Sequence, residues 1–192
     1  MSATLLDISD YSIPLPEFIV LDASLVLELT PSPSQPHRNH AVAIAFLQRL
    51  EINAQQGRVK PILPLLAFEE CYFKICQRVL IAYAQMVGEK WHDYYKKNPL
   101  VIRSIHPALM TLYRTLLSFP IEITEPEDIA IQPKGREPSL SSRIGDFIDK
   151  FAVLPRDATI FSEAERLGIY TVATLDSDWL RADGFTVYAP LP

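Results

Sequence analysis

Two cysteines, Cys71 and Cys76, are all that the 192 residues contain, and both fall in one apolar-aromatic stretch. A disulfide framework or a cysteine zinc site needs more of them at other spacings. The pair therefore reads as small buried side chains in a reducing compartment. Glycine is as sparse: the six glycines form no phosphate-cradling loop, which argues against a nucleoside triphosphatase. Serine and histidine show no nucleophile-elbow pattern. No uninterrupted apolar run approaches the roughly 18 residues of a membrane span. The opening "MSATLLDISDYSIPLPEF" lacks the basic lead and long apolar core of a signal peptide. A cytoplasmic location with no membrane partner is the expectation. An excess of positive charge is missing too. The net charge of -5 argues against a surface that is basic all over, as nucleic-acid-binding domains often are. A local basic groove remains open, and a cluster of catalytic carboxylates would itself push the total negative.

What is present is ordinary in bulk, with 48% hydrophobic and 21% charged residues. The length suits a single domain spanning 1–192. Sixteen prolines gather in "SIPLPEF", "TPSPSQPH" and "QPKGREP", which read as loops, the second as a linker near 30–36. "EFIVLDASLVLEL" opens as a continuously apolar strand, as in a sheet covered on both faces, reaches Asp22 and turns into a helix. "HRNHAVAIAFLQRLEINAQQG" has helical spacing through Val42, Ala45, Phe46, Arg49 and Leu50, with Gly57 as its stop. "VKPIL" is a second strand, the segment from Leu65 to about Trp91 a long helix, and "FPIEIT" a third strand. "VIRSIHPALMTLYRTLLS" predicts one or two helices interrupted at Pro107, part of a helical insertion near 88–118. Thr124 and Glu127 form a capping box. "SLSSRIGDFIDKFAVL" and "PRDATIFSEAERLG" are further helices, the second turning Ala158, Ile160, Phe161, Ala164 and Leu167 inward. "YTVAT" and "FTVYA" close the chain as strands. Strands alternating with helices predict a three-layer α/β/α fold with a mainly parallel sheet.

Ligands of open α/β sheets bind beyond the carboxyl ends of the strands. Asp22 and Asp176 each directly follow a strand, so neighbouring strands would bring them together. Each also has a structural alternative. Asp22 could cap the next helix, Asp176 could form an Asx-turn and Asp178 cap a short turn, and Asp157 suits a helix amino terminus. Glu69 and Glu70 stand among apolar neighbours, where an acid needs a partner. Glu70 is the better inward residue because it leaves Phe68, Phe73 and Ile75 a sensible apolar arrangement; Glu69 is the alternative. Converging carboxylates raise one another's pKa unless positive charge intervenes. Hard oxygen ligands without a cysteine or histidine set point to Mg2+ or Mn2+, which suits phosphodiester hydrolysis.

"FIVLDAS", a glutamate in an apolar helix, and "LPRDATIFSEAERLGIYTVATLDSDW" together resemble the PIN-domain ribonucleases, a family that includes the VapC-like toxins of toxin–antitoxin pairs. The resemblance touches roughly 18–29, 59–76 and 119–189, and its most specific block runs from "RDA" to "SDW". It implies a PIN-like parallel-sheet fold and metal-dependent cleavage of RNA. Asp22, Glu70, Asp157 and Asp176 would then be catalytic and metal-binding, with Ser24, Thr174 and Asp178 supporting. It also implies an RNA substrate, an antitoxin partner and a homodimer, for which the helices around 37–56 and 65–87 have apolar surface. Trp179 stands where the family often has Phe, and the segment between the glutamate and "DA" is unusually long. A catalytically silent PIN-like module that binds RNA or a protein is the rival reading.

Several cations are candidates for phosphate contact: Arg136, Arg143 and above all Arg156, which adjoins Asp157. A surface salt bridge is the commoner role for Arg156. "EKWHDYYKKNP" interleaves aromatics with lysines, which could stack on single-stranded nucleic acid. The commoner alternative is the amphipathic end of a helix. His37 and His40 lack an acidic third ligand and read as exposed.

Overall fold

The computed structural model describes residues 3–30, 39–124 and 140–191. Most of the Pro-rich linker, His37, Glu127 of the capping box and Arg136 lie outside the described residues. The fold is α/β, with a six-stranded, all-parallel sheet and helices arranged as α/β/α. The strands are β1 (Thr4–Asp7), β2 (Phe18–Leu21), β3 (Lys60–Leu63), β4 (Glu122–Ile123), β5 (Thr171–Ala173) and β6 (Thr186–Ala189). Their spatial order is β1-β6-β5-β2-β3-β4. The apolar runs explain the middle of the sheet: Ile19, Val20, Leu21, Val172 and Val187 are all buried, as a sheet covered on both faces requires.

The chain moves outward from β2 through β3 to β4, then returns to the other side of β2 to lay down β5 and β6. The direction of winding therefore reverses between β2 and β5, which pair Val20 with Val172 and Leu21 with Ala173. A crevice opens at such a reversal, beyond the carboxyl ends of the two strands. Asp22 and Thr174 are the first residues past those ends. Pro61 lies inside β3 without costing a ladder bond. Pairing with β4 starts only at Ile62, so the missing N–H has no partner strand beside it.

Seven α-helices occur among the described residues: α1 (Ala23–Val26), α2 (His40–Gln55), α3 (Leu65–Met86), α4 (Trp91–Lys97), α5 (Ile102–Ser118), α6 (Leu140–Phe151) and α7 (Pro155–Arg166). Helices α4 and α5 pack against α3 and fill the segment predicted as a helical insertion. The packing of α6 on α7 is aromatic: the Phe161 ring centroid lies 5.6 Å from Phe151, 5.4 Å from Phe185 and 4.1 Å from Trp179. Trp179, in the short 3-10 helix Ser177–Arg181, is thereby locked into the core.

Three expectations need correction. Strand β1 was not foreseen; it is a short edge strand, half of it exposed, held through pairing with β6. Pro107 does not interrupt α5, which runs through it. The proline sits on the exposed side, so the Arg103 carbonyl it leaves without a helical donor can face water, while Ile105, Leu112 and Leu116 bury the opposite stripe. His40 is not simply exposed: its Nδ1 lies 2.7 Å from Oε2 of the buried Glu28.

Candidate functional site

Asp22 ends β2 and caps α1, its side chain accepting from the Ser24 amide at 3.1 Å. The same oxygen, Oδ2, accepts from the Ser24 hydroxyl and from the Thr174 hydroxyl, the latter at 2.9 Å. With their protons given to Asp22, the two hydroxyls act as acceptors for the next segment. Ser24 Oγ takes the Leu175 amide and Thr174 Oγ1 takes the Asp176 amide, both at 2.9 Å. The carboxyl ends of β2 and β5 are thus sewn together by one carboxylate and two hydroxyls. Among the described residues Oδ1 of Asp22 accepts no hydrogen bond. Asp22 is 5% exposed, and burial pushes its carboxyl upward against the lowering effect of those three donors.

Asp176 caps the 3-10 helix, its Oδ1 accepting from the Asp178 amide at 2.9 Å. Both structural alternatives foreseen for Asp22 and Asp176 are therefore real: each is a cap, and each also adds to the negative field felt by Asp157. Asp178 spends its carboxylate on Arg181, whose other arm reaches the Ala152 carbonyl at 2.7 Å. Ala152 has a left-handed backbone, φ 52°, so Arg181 secures the turn that leads into α7.

The remaining acids come from helices. Asp157 stands in the first turn of α7 with no hydrogen bond to its carboxylate among the described residues. Its pKa is raised to about 6, first by burial, then by Asp22, Asp176, Glu70 and Asp178 in turn. All five candidate acids are hence within one electrostatic neighbourhood centred on Asp157. Glu70, on α3, is pushed up by burial and by Asp22, and held down in part by Lys74 and Arg156. Glu69 points to solvent, which resolves the doublet in favour of Glu70. Lys74, which the sequence reading missed, approaches Glu70 to 3.9 Å. Its position one turn after a glutamate was the available signal. Cys71 lies beneath the cluster with its thiol pushed up by burial, Asp22 and Glu70, so it is a packing residue and no nucleophile.

The donors are hard oxygens, the type suited to Mg2+ or Mn2+. Among the described residues, however, no three His, Cys, Asp or Glu side chains stand close enough together to hold one ion. The acids sense one another at longer range than ligands of a common metal. Asp22 is fixed by its hydroxyl donors, whereas Glu70 is paired with Lys74 and Asp157 accepts no hydrogen bond among the described residues. The donor chemistry is of the kind a divalent cation takes, while the spacing of the acids is wider than one ion's ligand sphere.

Arg156 lies over the Phe73 ring, its guanidinium carbon 5.7 Å from the centroid, and makes no ion pair among the described residues. Arg143 is instead committed to Glu165, at 3.6 Å, tying α6 to α7. Of the aromatics interleaved with lysines, Trp91 meets Phe73 edge-on and Tyr94 stacks on Tyr83, so α4 uses them to pack on α3. No helix among the described residues is long and apolar enough to cross a membrane. No family model matches the chain, and no curated protein matches it at a significant level.

Proposed function

We propose that this chain is a PIN-type, metal-dependent endoribonuclease that hydrolyses RNA phosphodiester bonds. The observation that carries the reading is Asp157, whose carboxyl is raised first by burial and then by four other acids gathered past the carboxyl ends of β2 and β5. Accumulated negative charge at a strand-end crevice is costly, and a divalent cation bridging to substrate phosphate is what offsets it. Asp22, Asp157 and Asp176 would hold Mg2+ or Mn2+, and Glu70 would complete the set directly or through water. The bound ion would supply an activated water and charge neutralisation at the scissile phosphate. Ser24 and Thr174 hold Asp22 in its orientation by donating to Oδ2, and offset part of the upward push that burial gives its carboxyl. Asp178 shapes the turn through Arg181. Arg156, which makes no ion pair among the described residues, would take a phosphate oxygen of the strand. A toxin role, with an antitoxin partner and a homodimeric assembly, belongs to the same reading.

The rival reading, a silent PIN-like module that binds RNA or protein, is favoured by one observation: among the described residues no three acids share a ligating distance. RNA cleavage with added Mg2+ or Mn2+ separates the two. Wild type should cut, and the double variant Asp22→Asn, Asp176→Asn should not. Equal cutting in EDTA refutes the metal-dependent reading. Absence of millimolar or tighter metal affinity by calorimetry favours the silent module.

A further inference from the structure

Beside the acid cluster the surface changes character. Phe73, one turn after Glu70 on α3, is 45% exposed despite being a large apolar ring. Two groups meet it and a third extends the row. The Arg156 guanidinium lies over the ring at 5.7 Å, the Trp91 ring meets it edge-on with centroids 6.3 Å apart, and the His92 ring stands 4.6 Å beyond Trp91. Arg156 and His92 are both exposed, and Lys74 is the next residue along α3. The result is a ledge of rings edged by cations, starting at the residue that adjoins Asp157 and leading away from the crevice.

An exposed aromatic of this kind has several uses, and charge decides among them. An apolar protein partner would not require a guanidinium laid over the ring with no ion-pair partner among the described residues. Nucleobases stack on aromatic faces and on guanidinium planes, and the phosphate that follows each base takes guanidinium donors. A paired duplex cannot use such a ledge, because its base faces are already stacked. We infer that Phe73 is a base-stacking residue that positions an unpaired RNA strand, with Arg156 on the adjoining phosphate, for cleavage at the Asp157 side of the crevice. The inference rests on the proposed ribonuclease reading for its substrate, and it adds to that reading the residues that hold the strand. Phe73 is a positioning residue, acting on the strand and not on the reacting phosphate.

The test is binding first, in EDTA, so that no cleavage is needed. Fluorescently labelled ten-nucleotide RNA and DNA single strands, and the corresponding duplexes, are titrated with wild type, Phe73→Leu and Phe73→Trp. Leucine retains apolar bulk and removes the π face; because Phe73 is exposed, both variants should fold, which circular dichroism checks. Phe73→Leu should weaken single-strand binding roughly tenfold, Phe73→Trp should restore it, and duplex binding should not change. A 2-aminopurine in the strand should be quenched by wild type and Phe73→Trp but not by Phe73→Leu. In the cleavage assay Phe73→Leu should raise KM with kcat nearly unchanged. Preference for RNA over DNA single strands supports the RNA assignment, and the reverse preference overturns it. If Phe73→Leu binds single strands like wild type, or if it alters only the oligomeric state, the ledge is not a stacking site. Stacking without metal-dependent cleavage would leave this inference standing and refute the nuclease reading. Cleavage indifferent to Phe73 would do the opposite.

Discussion

Replacing Asp157 by asparagine should make the metal-free protein more stable while removing its response to a divalent cation. The carboxyl is raised from 3.8 to about 6 in the folded chain by burial and four neighbouring acids. The sign follows from proton counting. Between those two values the folded state holds a proton that the unfolded chain has already released, so stability falls as pH rises through the window. Below about pH 4 the carboxyl is neutral in both states and carries no penalty; above about pH 6 the penalty is complete. A shift of about two units corresponds to about 3 kcal/mol. Asp157 is half-buried, however, and solvent screening reduces the stability that can be recovered to about 1 kcal/mol. For a chain of this length that is about 2–4 °C in Tm. Asparagine keeps the shape of the side chain without the charge. At pH 8 in EDTA the variant should therefore melt higher than wild type, and at pH 4 the two should coincide.

The second half of the same experiment adds Mn2+. In wild type the ion takes over the role of the proton, so it should raise Tm at pH 8, and its affinity should weaken about tenfold per pH unit below pH 6 as protonation competes. The variant should show little of either effect. Differential scanning fluorimetry across pH 4–8, with and without the ion, reads both halves. A variant that melts at or below wild type in EDTA at pH 8, yet gains as much from Mn2+, refutes the reasoning at both steps.

Thr174→Val should cost about 2–3 kcal/mol, because it strips a donor from the buried Asp22 and an acceptor from the Asp176 amide. Thr174→Ser should retain most of the stability, and equal urea midpoints for the two variants would exclude the proposed stitching. Glu163, on α7, is 2% exposed, with neither carboxylate oxygen hydrogen-bonded. Burial lifts its pKa to about 7, while Arg166 offsets only part of that shift. Stability should therefore fall between about pH 4.5 and 7, and Glu163→Gln should remove that fall, for a gain of about 2 kcal/mol at pH 8. Identical pH–stability curves for the Glu163→Gln variant and wild type would contradict it.

Much of this arrangement is legible in the chain because it rests on short-range rules. The apolar run before Asp22 and the run before Thr174 are strands covered on both faces, and the spacing of Ala158, Phe161 and Ala164 sets the inward stripe of α7. What escaped was governed by tertiary partners. Strand β1 is a four-residue edge segment, half of it exposed, that exists because β6 offers an edge. Helix α5 runs through Pro107 because its buried stripe lies on the opposite side. The commitment of Arg143 to Glu165 and the place of Arg156 over Phe73 depend on which helices meet, which no local pattern encodes.

The site also shows why structural and chemical readings of a single acid need not compete. Capping Asp22 onto α1 uses only Oδ2, and capping Asp176 onto the 3-10 helix uses only Oδ1. A carboxylate has two oxygens and several lone pairs, so each cap fixes the side chain in place and leaves its other oxygen for a second partner. Helices that begin directly after parallel strands place their caps at the strand carboxyl ends, where a sheet reversal opens a crevice. In this chain the residues that start the helices are consequently the ones that bring negative charge to the crevice. Asp157 differs: it makes no cap, and its pKa is raised first by its own burial and then by the acids the fold has gathered beside it.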